Sequence, residues 1–274
     1  MTNACIFVYS NNRVKLDSQG GKVVDIEATQ RYKNRDPLSN EEIDDMLHKA
    51  DKIDFEYFRL RVKAIIALAK KFGKRRSEIA SLERSDLKVE NSLLNVTFTI
   101  RKKHKKGLFQ YFKYLKKNNP AALEKPLTQL ELDYKEWLLT KEGVRIKEEK
   151  RTKAINVSDK YAIHISLYLE HVAKNYPQTK FLFPSGIEVF GERYVLTRED
   201  KHLTGRQVLR LIKPLNPSAW MHLFRETKGA EIAKQEGDKL RAVYEVRDTL
   251  DLEDERTAYR YVRRYAVQEM KTET

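Results

Sequence analysis

The chain has one cysteine, Cys5, among its 274 residues. That excludes an internal disulfide and a thiolate metal cluster, and it leads us to expect a reducing, intracellular (cytoplasmic) compartment. Long apolar runs are also missing. Stretches such as Ala64-Ile65-Ile66-Ala67-Leu68-Ala69 fall far below the ~18 residues a bilayer span requires, so no membrane association is expected. Cys5-Ile6-Phe7-Val8-Tyr9 is too short for the apolar core of a secretory signal. The six histidines, His48, His104, His164, His171, His202 and His222, form no HExxH and pair with no cysteine at ligand spacing, which leaves zinc without support. GxxxxGK[ST], GxGxxG and GxSxG are absent as well. The phosphate cradles of P-loop and dinucleotide enzymes and the hydrolase nucleophile elbow therefore lose their handles, and no cofactor is expected.

Positive charge is abundant. The 54 Lys+Arg outnumber the 40 Asp+Glu for a formal net charge of +14, with 41% hydrophobic residues, enough to bury a real core. A strongly basic chain of this kind most often meets a polyanion, and nucleic acid leads that list.

Residues 1–34 show no sustained pattern beyond two short strand candidates, Ile6–Tyr9 and Val23–Ile26. From Asp36-Pro37-Leu38-Ser39 the character changes. Ser39 with Glu42 makes a capping box, and Ile43, Met46, Leu47 and Ala50 recur at helical spacing. The patterning predicts further helices over Phe55–Phe72 (stopped by Gly73), Ser77–Leu82, Leu127–Thr140, Ser158–Asn175, Thr204–Ile212, Ala219–Gly237, Lys239–Arg247 and Glu255–Met270. Strands are expected over Leu93–Ile100, where Val96, Phe98 and Ile100 alternate, and over Ala154–Val157. The expected fold is mostly α with a small antiparallel sheet, in one domain over 35–274 after an N-terminal segment, 1–34. Residues 101–117 carry eight Lys/Arg and no acid. By default this is a solvated hairpin tip, but the same charge suits phosphate contact.

Chemistry can be built from cations and tyrosines. Arg75 lies in Gly73-Lys74-Arg75-Arg76-Ser77-Glu78, with Asp86 beyond it. His222-Leu223-Phe224-Arg225 sets a His and an Arg three residues apart on one side of a helix start. Tyr259, Tyr261 and Tyr265 follow near the C-terminus. Arginine forks suit the nonbridging oxygens of a phosphodiester and the charge that builds in its transition state. A histidine can move a proton, a lysine can protonate a leaving oxygen, and a tyrosine hydroxyl can attack to form a covalent intermediate. Singly, each element is more often a surface pair or a packing residue. Their order along one chain is what raises the reading.

Those residues in that order resemble the catalytic domain of tyrosine recombinases, the phage-integrase family, and are closest in look to its archaeal virus and plasmid integrases. The likeness runs from Asp36-Pro37-Leu38-Ser39-Asn40-Glu41-Glu42-Ile43, similar to an opening PLT-x-EE helix, through the first-arginine box at Arg75 to Phe181-Leu182-Phe183-Pro184 and the HxxRxT pattern of His222, Arg225 and Thr227. Leu250-Asp251-Leu252 falls where the family has Leu-Gly-His, nine residues before its nucleophile. This register puts the nucleophile on Tyr261, with Tyr259 and Tyr265 next in line. The family's hairpin lysine falls on Lys102 or Lys103, with Lys147 and Lys150 as rivals, and residues 108–150 resemble an insertion. Leu252 cannot make the hydrogen bond of the usual His or Trp.

What the resemblance implies is site-specific recombination of double-stranded DNA. Cleavage and rejoining would pass through a 3′-phosphotyrosyl intermediate without metal or ATP, in a homotetramer on DNA that is a monomer when free. Arg75 and Arg225 would clamp the phosphate, His222 would assist proton transfer, and Lys102 or Lys103 would be general acid. The alternatives are a type IB topoisomerase-like nicking-closing enzyme and a DNA-binding protein that keeps the shape without the chemistry. Family members usually place a helical DNA-clamping domain ahead of the catalytic one, so residues 1–34 are read as an N-terminal segment or linker remnant, and the chain as a fragment of a longer integrase or a minimal form.

Overall fold

The computed structural model describes residues 36–190, 193–198 and 200–266. The strand candidates within 1–34 and the last residues of the C-terminal helix lie outside them. The chain divides into two units, Met1–Pro37 and Leu38–Thr274, and the fold below is that of the second.

Helix α1 (Asn40–Asp51) opens on its capping box: Ser39 Oγ accepts from the Glu42 N–H at 3.1 Å, and Glu42 accepts from the Ser39 N–H at 2.9 Å. Helix α2 (Glu56–Phe72) is the axle of the molecule. It is buried nearly all round, which explains why its sequence is apolar on more than one face. It stops at Gly73, whose φ of 58° gives the left-handed turn that suits glycine. A short helix α3 (Arg76–Ala80) and a 3₁₀ turn (Arg84–Asp86) lead into the sheet.

The sheet is antiparallel in the order β1 (Leu87–Glu90), β2 (Leu93–Lys105), β3 (Val144–Asn156). Asn91 and Ser92, both at positive φ, make a tight connection between β1 and β2. Leu94, Val96, Phe98 and Ile100 are fully buried, so the alternation read from the sequence is the core face of β2. Two expectations need correcting here. Strand β2 runs on to Lys105, and β3 starts at Val144 and not at Ala154; the two pair residue for residue from Leu93↔Asn156 to Lys105↔Val144. The basic run is therefore strand up to Lys105. It is followed by helix α4 (Leu108–Asn118), a 3₁₀ segment (Pro120–Glu124) and helix α5 (Leu127–Trp137), borne at the end of the long hairpin. These pieces have their own small core of Tyr111, Leu115, Ala122, Leu130 and Trp137.

Helix α6 (Lys160–Asn175) packs along α2. After it come a second hairpin, β4 (Ile187–Phe190) with β5 (Arg193–Leu196), which sequence patterning missed, and helix α7 (Gly205–Ile212), capped by Thr204 as expected. Helices α8 (Met221–Gln235), α9 (Lys239–Thr249) and α10 (Glu255–Ala266) complete the chain. The main core joins α1, α2, the sheet, α6, α7 and the start of α8. A second core, with Ala230, Ala233, Val246, Leu250, Val262 and Tyr265, lies among α8, α9 and α10. Among the described residues no helix is long and apolar enough to cross a membrane.

Candidate active site

Three chain segments converge on one cluster. The first is the turn after α2. Gly73 ends the helix, Arg75 starts α3, and Glu78 holds Arg75 twice, accepting from its backbone N–H at 2.8 Å and from its guanidinium at 2.7 Å. The carboxylate is buried, but the Arg75 side chain stays about half exposed, 47%.

The second segment is the start of α8. His222 and Arg225 lie one turn apart there, while Thr227 donates to the Leu223 carbonyl and accepts from the Leu38 N–H at 2.8 Å, which seats the helix against the first residues of the domain. Arg225 is 3% exposed. Its guanidinium donates to the Gly73 carbonyl at 3.0 Å and to the Leu250 carbonyl. Two of its five N–H groups thus fix its plane.

The third segment is α10. Tyr261 lies against Gly229 of α8 so closely that a Cβ on the glycine would stand 2.7 Å from the tyrosine Cδ1. The Arg225 guanidinium lies near enough to the Tyr261 hydroxyl to favour its deprotonated form. Tyr259 is 59% exposed; Tyr261 and Tyr265 both border the cleft that contains His222, but Tyr265 is only 1% exposed, which leaves Tyr261 as the more accessible of those two.

That cleft, about 300 Å³, is lined by His222, Glu226, Thr257, Arg260, Tyr261, Arg264 and Tyr265. A second cleft on the other side of His222 is lined by Arg75, Arg76, Ser77, Leu209, Trp220, Met221, His222 and Arg225. Electrostatics bind the cluster together. Burial, and then the nearby Arg75 charge, push the Arg225 pKa down. Burial raises the Tyr261 phenol while Arg225 and Arg75 pull it back, and the net direction is up. Desolvation of its protein-facing side holds His222 below the usual histidine value; Arg225 and Arg75 act the same way against Glu226, whose carboxylate lies 3.5 Å from Nε2. Two guanidiniums that repel each other beside a hydroxyl and an uncharged imidazole are suited to an anion.

Lys102 and Lys103 sit on β2, paired with Lys147 and Ile146 of β3. Lys147 is thus directly across from Lys102, and Lys150 pairs with Thr99. Closer to the cluster, Lys153 donates to the Asp248 carbonyl at 2.9 Å.

Sequence reasoning passed over two residues. Lys74 is fully buried; it pairs with Asp251, donates to the Thr249 carbonyl at 3.3 Å and lies 5.2 Å from the Phe98 ring centre. Asp251 is buried too, takes φ 49°, and has the Arg151 guanidinium at 3.4 Å. This pair ties the turn that carries Arg75 to the turn that leads into α10. The only hint in the sequence was a lysine directly after the helix-ending glycine, and charge alone does not announce burial.

A mostly helical domain with this hairpin-bearing sheet is the fold of the tyrosine-recombinase catalytic domain. The likeness is to two solved structures in particular. One is XerH site-specific recombinase bound to a palindromic difH substrate in a post-cleavage complex, 16% identical, TM-score 0.51, covering 86% of this chain and 52% of that one. The other is XerA recombinase, 17% identical, TM-score 0.50, covering 87% of this chain and 63% of that one. The chain thus spans about half of the first and under two thirds of the second. No protein-family model matches the sequence, and no curated protein matches it.

Proposed function

We propose that this chain is the catalytic domain of a site-specific DNA recombinase acting on double-stranded DNA. The observation that carries the reading is the meeting of Arg75, Arg225, His222 and Tyr261, from three distant segments, around two clefts that share His222. In this reading Arg75 and Arg225 hold the nonbridging oxygens of the scissile phosphate, and its negative charge relieves their mutual repulsion. The Tyr261 oxygen attacks phosphorus as its proton leaves, with His222 assisting the transfer. The bond to the 5′ oxygen breaks, and a hairpin lysine supplies the proton to that oxygen. The products are a 3′-phosphotyrosyl link and a free 5′ hydroxyl. Because the link keeps the phosphodiester's energy, a 5′ hydroxyl from a partner strand can reverse the step without ATP or metal. Exchange between two duplexes calls for a homotetramer on DNA in the cytoplasm, assembled from monomers.

Leu252 favours a second reading, DNA binding without chemistry, since its aliphatic side chain packs against the α8–α10 core and offers no hydrogen bond. Nicked suicide duplexes from a random-sequence pool decide between the two. Wild-type protein is expected to form a covalent adduct, and Tyr261→Phe to form none while binding DNA with little change. An adduct that survives Tyr261→Phe moves the nucleophile elsewhere, and no adduct with wild-type protein favours the binder. Relaxation of a supercoiled plasmid without recombinants would point to a topoisomerase-like enzyme instead.

A further inference from the structure

We propose that the outward face of helix α4 is a second DNA contact, gripping duplex phosphates about one helical turn away from the cleaved one; this rests on the recombinase reading above. Helix α4 is amphipathic in an uncommon way. Tyr111 and Leu115 enter the small core of the hairpin-borne helices, while Lys113, Lys116 and Lys117 are exposed at i, i+3 and i+4 spacing, on one face. The helix has no acidic residue. Among the described residues none of these three lysines has an ion pair. The acids of this region are Glu124 on the 3₁₀ segment, Glu131, Asp133 and Glu136 on α5, where Lys125 already takes Asp133 at 2.8 Å, and Glu142 just before β3; none is on α4. Charge is therefore segregated, and the α4 face carries three uncompensated cations that repel one another until an anion arrives.

The helices are also firmly seated on the strands that carry them. The ladder continues past β2 with Lys106 N–H to the Gly143 carbonyl at 2.9 Å, and the Tyr134 hydroxyl donates to the Lys106 carbonyl at 2.9 Å. A Cβ on Gly143 would fall 2.1 Å from the Trp137 carbonyl oxygen, so the join is tight. At its other end the hairpin meets the turn whose Leu250 carbonyl holds Arg225: Lys153, paired with Val96, reaches the Asp248 carbonyl, and Arg151 lies 3.4 Å from Asp251. From Val96 to Lys105 the strand climbs about 30 Å at ~3.3 Å per residue. Along DNA that distance is roughly nine base pairs at 3.4 Å each. The partner follows from continuity: the face prolongs a run of cations that begins at Arg101, on a hairpin whose base meets the turn that anchors Arg225.

The test compares wild-type protein with the Lys113→Gln/Lys116→Gln/Lys117→Gln variant on random-sequence duplexes of increasing length, reading the dependence of affinity on salt. Glutamine keeps helix propensity, and the three positions are exposed, so the fold is not at stake. On the longest duplexes the variant's log–log slope should be shallower by about 0.9 for each phosphate that the protein no longer neutralises. Its slope should stop growing with duplex length about nine base pairs sooner than wild type, and the two proteins should coincide on shorter duplexes. A wild-type slope that grows with length and is matched by the variant at every length overturns the α4 contact alone, as does a deficit that is undiminished on the shortest duplexes. A wild-type slope near zero at all lengths sinks the recombinase reading itself.

Discussion

Lys74 takes a full positive charge to a place water does not reach, and its burial drives its pKa down even with Asp251 beside it. Such a pair contributes little when intact and costs much when broken, because a lone buried charge has nothing to replace its lost hydration. Asp251→Asn keeps the shape and suits the positive φ, since asparagine tolerates that region. It should lower unfolding stability by about 3–5 kcal/mol. Urea titration checks this as a lower midpoint at unchanged slope. Adding Lys74→Met should recover most of the loss, because the stranded charge is then gone; a double variant no better than Asp251→Asn alone would show that the pair's contribution lies in geometry and not in charge.

Between elements, α8 and α10 approach closely in the site at Gly229 and Tyr261. The glycine is there because no side chain fits, so Gly229→Ala should push the tyrosine ring off its seat. Single-turnover adduct formation should then fall at least tenfold, since even small misplacement of a reacting group is costly. DNA affinity should hold, because it is spread over many phosphates. Equal loss of both would mean that the helix pair, and not the hydroxyl, is what the substitution disturbs. How readable each element was follows from where its apolar residues face. Helices α1 and α2 and the first half of β2 touch the main core, and their sequences repeat at 3.6 or 2. Strand β3 was legible only at Ala154–Val157. Its earlier part, with exposed Ile146, Lys147, Glu148 and Lys150, stands away from the core and carries no period. Helix α4 was hidden by its own charge, since a run of lysines reads as solvated tip whether or not aromatic residues pack behind it.

Across the whole molecule, the candidate site was legible as an order of residues, Arg75, His222, Arg225, Tyr261, and illegible as a geometry. No spacing along the chain says that Gly73 and Leu250 share one guanidinium across the fold. The same integration governs the response to acid. Burial holds His164 and His171 below their ordinary 6.5, with Lys63 acting in the same direction on His164 and Lys174 on His171. Above that value both are uncharged in folded and unfolded chains alike. As the pH falls through it, the unfolded chain takes up these protons first, so stability declines. The denaturation midpoint should therefore drop as pH is lowered from about 7 to about 5, and His164→Gln/His171→Gln should flatten that decline. A midpoint independent of pH across this range would contradict the burial of both rings.

The anchoring of Arg225 to two main-chain carbonyls has a consequence for anyone comparing relatives. This arginine is a clasp of the architecture before it is a reagent, for without it the Gly73 and Leu250 carbonyls lose their donor. On the recombinase reading proposed above, a relative without DNA cleavage would still use this arginine to hold the two turns together. The Tyr261 ring packs against the second core, but among the described residues its hydroxyl holds no main-chain carbonyl. On that reading, retention of the arginine marks the architecture, and retention of the tyrosine hydroxyl marks the proposed chemistry.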